Sequence, residues 1–108
     1  MPRPSSPIVL HWFPLSGHCH RVQLFLSLLE LPTRIELVEL GKRMHKQPAF
    51  LALNAFGQVP VLQDGDVVVA DSNAILVYLA TRYDPDGRWL PRDPIGAAAV
   101  ARWMSAAA

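Results

Sequence analysis

The rhythm of apolar and polar positions changes repeatedly along this chain, and each change marks an element. Ile8-Val9-Leu10-His11-Trp12 is a short apolar run rich in strand formers, and Phe13-Pro14-Leu15-Ser16-Gly17 breaks it with loop residues. The pair reads as a buried strand and a turn. From Cys19 to Glu30, Val22, Phe25, Leu26 and Leu29 keep the i, i+3, i+4, i+7 spacing of one helix face, and Leu31-Pro32 ends it. A helix starting near Ser16 is expected. Ile35 and Leu37 then alternate with Arg34 and Glu36, as in a half-buried strand, and the intervening helix implies a right-handed crossover that pairs the two strands in parallel. Gly41 to Gln47 reads as polar loop, Pro48 suits the first turn of a short helix through Leu53, and Asn54-Ala55-Phe56-Gly57 closes it.

The second half has a different grammar. Val59-Pro60-Val61-Leu62 and Val67-Val68-Val69 flank Asp64-Gly65, a dipeptide favoured in two-residue type I′ hairpins. Asp71-Ser72 supplies N-cap chemistry for a helix to about Tyr83, with Arg82 in its last turn. The order βαβ followed by αββα predicts an α/β, thioredoxin-like fold with a mixed four-stranded sheet. Residues 1–7 are expected to be a flexible N-terminus, 8–83 the thioredoxin-like domain, 84–94 a turn-rich linker, and 95–108 the first turns of another helix, for which the alanines are well suited.

Composition narrows the classes. A chain of 108 residues, 51% of them apolar, is of a size for one compact core. Ten basic residues stand against nine acidic ones and are scattered, so no phosphate-backbone footprint and no nucleic-acid partner are expected. Cys19 is the single cysteine, which excludes an intramolecular disulfide and a multi-cysteine zinc site and suits a reducing compartment, the cytoplasm. His11, His18, Cys19 and His20 have no zinc spacing, so no metal is expected. The apolar run after Met1 to Pro7 stops at His11, too short for a signal peptide, and Ala74 to Ala80 is far below the ~20 residues of a membrane span.

Ser16-Gly17-His18-Cys19-His20-Arg21-Val22 places a hydroxyl at a strand-to-helix turn, where free N–H groups and the positive helix end favour an anion. From this heptad alone, Ser16 reads first as an ordinary N-cap, the role serine prefers. Ser16-x-x-Cys19 has the spacing of a CxxC redox motif without its first cysteine, which disfavours disulfide exchange. His45-Lys46-Gln47-Pro48 and Leu53-Asn54-Ala55-Phe56-Gly57-Gln58-Val59-Pro60 add two more distinctive stretches, and Asp71-Ser72-Asn73-Ala74-Ile75 a third. In this order, over roughly Ile8 to Met104, the set resembles the N-terminal, thioredoxin-like domain of glutathione S-transferases of the phi/theta-like bacterial type.

The resemblance implies glutathione as co-substrate, and the tripeptide's groups explain the residue types. Asp71 and Ser72, at a helix N-terminus, would hold its γ-glutamyl carboxylate, although both also suit simple capping. Pro60 is odd inside an apolar strand; the family's cis Val59-Pro60 bond would free the Val59 backbone to pair with the cysteinyl unit. His45 and Lys46, with Gln58 nearby, would meet the glycyl carboxylate, against the alternative of a solvated loop. The thiol, with an ordinary pKa of ~8.5, must ionise; lowering it by ~2 units takes ~2.7 kcal/mol. A helix terminus offers ~0.3–1 kcal/mol and one hydrogen bond to an anion ~1.5–3, with Ser16 as the donor. Cys19 reads as a packed residue; His18 and His20 lie next to the site, and His18 could face the ligand, with a solvent-facing imidazole the preferred reading.

By the same resemblance, residues 95–108 are the first helix of a truncated all-helical C-terminal domain, and the full-length protein is a homodimeric detoxification enzyme that joins glutathione to an electrophilic small molecule. The alternatives are a glutathione-dependent reductase or peroxidase, in which Cys19 would matter, and a non-catalytic protein-interaction module on the same fold. Without a following domain, the stripe of Val100, Trp103 and Met104 is expected to be exposed.

Overall fold

The computed structural model describes residues 3–13, 16–38, 60–84 and 86–107. Strand β1 is Ile8–Trp12, helix α1 Gly17–Leu28 and strand β2 Thr33–Leu37. Strands β3, Val61–Asp64, and β4, Val67–Ala70, lead into helix α2, Ser72–Tyr83, and then helix α3, Pro94–Ala107. The short helix expected from Pro48 lies outside the described residues. The strands form one sheet in the order β2-β1-β3-β4, with β1 and β2 parallel and the other neighbours antiparallel. This is the mixed four-stranded, thioredoxin-like arrangement that the order of elements implied.

One face of the sheet carries α1 and α2. Leu10 faces Ile35 on one side and Leu62 on the other, and with Ile8 it packs on Val22 and Leu26 of α1 and on Ile75 and Leu79 of α2. Burying these branched side chains at about 25 cal/mol per Å² is the main force joining helices to sheet. Helix α1 stops because the Leu31 N–H returns to the Leu26 carbonyl at 3.1 Å and the Glu30 N–H to that of Ser27 at 3.0 Å. That is a Schellman closure, with Leu26 and Leu31 both in the core, but its left-handed position holds Glu30 at φ 54 where glycine is usual.

Two expectations need correction. The hairpin loop is Gly65-Asp66, because Asp64 still pairs with Val67 in the ladder. Positive φ falls on Gly65 and not on Asp66, which fits a II′ turn rather than I′. The shift lets Asp64 stand on the same face as Leu62, toward the helices, where it is buried. In β2, Ile35 and Leu37 are 38% and 48% exposed rather than half-buried partners of the core, since an edge strand has a neighbour on one side only.

Candidate functional site

The sheet topology gathers chemistry at one end. His11, one residue from the end of β1, pairs with Val61, the first residue of β3, and Val61 pairs with Ala70, the last of β4. The segment carrying Ser16, the residue before β3, Pro60, and the start of α2 at Asp71 therefore emerge from the same end of the sheet. Pro60 is buried there. His45, Lys46, Gln58 and Val59 lie outside the described residues.

Ser16 is the N-cap of α1: its backbone is extended, at φ −89 and ψ 117, and its Oγ accepts the Cys19 N–H at 3.2 Å. Capping uses a lone pair of the hydroxyl and leaves its proton free to be donated, so cap and anion donor are compatible roles for one oxygen. Cys19 is wholly buried. Trp12, at the end of β1, meets the His20 ring edge-on at 5.5 Å, and among the described residues its buried indole N–H has no hydrogen-bond partner.

Asp71 caps α2. Its Oδ2 accepts the Ala74 N–H at 3.1 Å and its carbonyl the Ile75 N–H at 2.9 Å. Its backbone sits at φ 77 and ψ 126, a region that L-residues rarely adopt and that costs about 1–3 kcal/mol. The N–H groups of the first helical positions, Ser72 and Asn73, have no acceptor within the helix and point away from its start. Such N–H groups at the positive end of a helix suit a carboxylate.

Side chains of α1 reach this helix start, which was not legible in the sequence. Arg21 donates to Asn73 Oδ1 at 2.9 Å and to Ser72 Oγ at 3.4 Å. His18 is exposed, yet its Nδ1 lies 3.3 Å from Ser72 Oγ and 3.3 Å from Arg21 Nη1, so it is not simply solvent-facing as expected. Only the i, i+3 spacing of His18 and Arg21 hinted that both lie on one face of α1. The Asn73 amide in turn donates to the Met104 carbonyl of α3 at 3.5 Å. Beside this network an apolar groove of about 290 Å³ runs between the helices, lined by Leu24, Phe25, Val77, Trp89 and Met104 among others. The expected α3 stripe is split: Val100 and Met104 turn to the groove, while Trp103 remains 77% exposed.

Among the described residues no group of three or more histidine, cysteine or acidic side chains could hold a metal ion, and no helix is long and apolar enough to cross a membrane. The sequence pattern of the family described as "Glutathione S-transferase, N-terminal domain" matches residues 15–82, which include the cap at Ser16 and nearly all of α2. The chain belongs to that family. Maize glutathione S-transferase 3 is 41% identical over 99 residues, covering 92% of this chain and 45% of its own length. Human glutathione S-transferase theta-2 is 38% identical over 72 residues, covering 67% of this chain and 30% of its own length. A glutathione transferase homologue from Drosophila mojavensis, solved with bound glutathione, superposes with a TM-score of 0.88 at 32% identity, covering 92% of this chain and 45% of its own. For a glutathione transferase of Bombyx mori the TM-score is 0.91 at 26% identity, with coverages of 95% and 48%. The chain thus spans less than half the length of these glutathione S-transferases.

Proposed function

We propose that this chain is the glutathione-binding part of a glutathione S-transferase, which activates the thiol of glutathione for conjugation to an electrophilic small molecule. The observation that carries the reading is the convergence of Ser16, Pro60 and Asp71-Ser72 at one end of the sheet. In this reading the γ-glutamyl carboxylate sits on the free N–H groups of α2 and the Ser72 hydroxyl. The cysteinyl unit pairs with the backbone at Val59, ahead of Pro60, and His45 and Lys46, with Gln58, receive the glycyl carboxylate. The thiol lies at the start of α1, where Ser16 donates its hydroxyl proton to the thiolate. Helix end and hydrogen bond together supply ~2–4 kcal/mol, a range that spans the ~2.7 kcal/mol that a drop of ~2 pKa units requires.

Ser16 needs no base in this scheme, because it stabilises the anion and does not become the nucleophile. The burial of Cys19 counts against the glutathione-dependent reductase or peroxidase, which needs an accessible thiol. The whole protein is read as a cytoplasmic homodimer with no nucleic-acid or membrane partner, taking its electrophile beside the thiol.

Ser16→Ala tests the assignment. Ultraviolet titration of thiolate absorbance is expected to show the pKa of bound glutathione returning most of the way toward ~8.5, with its affinity changed less than about threefold. Lys46→Ala is expected to do the reverse, weakening binding while thiol ionisation is kept. An unchanged thiol pKa in Ser16→Ala would remove Ser16 from the mechanism.

A further inference from the structure

The imidazole of His18 is joined to the anion-binding end of α2 by two contacts whose donor and acceptor roles follow from chemistry. A guanidinium only donates, so in the neutral tautomer with its proton on Nε2 the ring accepts the 3.3 Å contact from Arg21 Nη1 at His18 Nδ1. Ser72 Oγ is 3.3 Å from the same Nδ1 and 3.4 Å from the same Arg21 nitrogen. The hydroxyl therefore accepts from Arg21 and gives its one hydrogen to His18. In that arrangement the Ser72 proton faces α1, and a carboxylate arriving at the start of α2 finds the backbone N–H groups but not the hydroxyl.

We propose that His18 is a positioning residue for carboxylate capture: it sets which way the Ser72 hydroxyl points, and protonation of its ring turns that hydroxyl outward. With a proton on Nδ1 the ring becomes the donor and Ser72 Oγ its acceptor. The hydroxyl hydrogen is released and rotates to the carboxylate, and the imidazolium adds a positive charge beside that anion. The Arg21 Nη1 hydrogen that Nδ1 accepted in the neutral state then turns to solvent, while Arg21 keeps its donation to Ser72 Oγ. Among the described residues, the charged side chain in contact with the ring is Arg21 on α1, and Asp71 caps the helix that carries Ser72. His20 meets Trp12 edge-on, and among the described residues α3 joins the network through the Met104 carbonyl on Asn73.

The role rests on the glutathione reading, and its test separates the two. The carboxylates and ammonium of glutathione stay charged between about pH 5.5 and 7, so a change in affinity across that range belongs to the protein. Calorimetry on the 108-residue chain is expected to show glutathione binding about fivefold tighter at the lower pH. His18→Asn is expected to bind with an affinity independent of pH within twofold. A parent with equal affinities, or a His18→Asn variant that keeps the parental slope, overturns the role while leaving the glutathione site standing. Nitrogen NMR of the ligand-free chain gives a second readout. Nδ1 of His18 should be the unprotonated nitrogen at neutral pH, and Ser72→Ala should shift its resonance; an unmoved resonance also overturns the role. No binding at either pH, with the His18–Ser72 coupling present, sinks the glutathione reading and takes the carboxylate role with it.

Discussion

The two ends of α2 are built on opposite principles. At its C-terminal end, Tyr78 donates to Asp64 Oδ2 at 2.7 Å and Tyr83 donates to the same oxygen at 2.5 Å. Arg82 adds a 2.7 Å bond to the Tyr78 hydroxyl and lies over both rings, 5.8 Å and 5.5 Å from their centroids. Asp64 and Tyr83 are buried. At the N-terminal end, the bonds of Ser72 to His18 and Arg21 are long, 3.3 and 3.4 Å, the His18 ring is exposed, and the cap residue Asp71 holds a strained backbone. One end fixes the hairpin to the helix through short, enclosed bonds. At the other, Arg21 holds Asn73 at 2.9 Å, but the contacts of Ser72 are long and lie against an exposed ring.

The sharpest way to break this contrast is Asp64→Ala. It leaves two tyrosine hydroxyls without their acceptor in largely enclosed surroundings, at about 1–3 kcal/mol each. A loss near 3 kcal/mol is expected, lowering the thermal midpoint by upwards of about 10 °C. Calorimetric melting checks it; a midpoint within a few degrees of the parent would show the cluster to be incidental.

Tyr83→Phe is expected to cost less, about 1.5 kcal/mol, because Asp64 keeps Tyr78 and Arg82. It also tests a pH effect. Burial first, and then the Asp64 carboxylate, push the phenols of Tyr83 and Tyr78 above the ordinary tyrosine value of 10.0. Above that value the unfolded chain loses phenolic protons while the folded chain keeps them, so the stability they contribute is complete below about pH 10 and declines as pH rises further. Denaturant midpoints measured from about pH 8 to 11 should fall less steeply for Tyr83→Phe than for the parent. Equal slopes would assign the alkaline loss to other groups.

The smallest expected effects compare the two strained backbones, Glu30 at φ 54 and Asp71 at φ 77. Glu30→Gly should gain about 0.5–1 kcal/mol, since glycine takes the left-handed position at no steric cost and the carbonyl that receives Arg3 is unchanged. Asp71→Gly trades the lost cap against relieved strain and should leave stability within about 1 kcal/mol of the parent. Only Asp71→Gly is expected to weaken glutathione binding, by at least about fivefold on calorimetric titration. Equal binding by the two variants would mean that the strain at Asp71 serves the fold alone.

What the sequence determined by itself is local in origin. The helical spacing of Val22, Phe25, Leu26 and Leu29, the alternation after Pro32 and the cap at Asp71 place α1, β2 and α2, because each depends on residues a few positions apart. Ser16 was legible as a cap for the same reason. Tertiary structure decided what no short window contains. Asp64 looked like a turn residue and became a buried acceptor once the ladder carried it to Val67 and turned it under α2. Leu37 looked half-buried and stays exposed because β2 is an edge. His18 looked solvent-facing, and it meets Ser72, 54 residues along the chain, because packing of α1 and α2 on one sheet face brings their first turns together. Spacing along the chain sets which side of an element a residue occupies; only packing sets what it meets there.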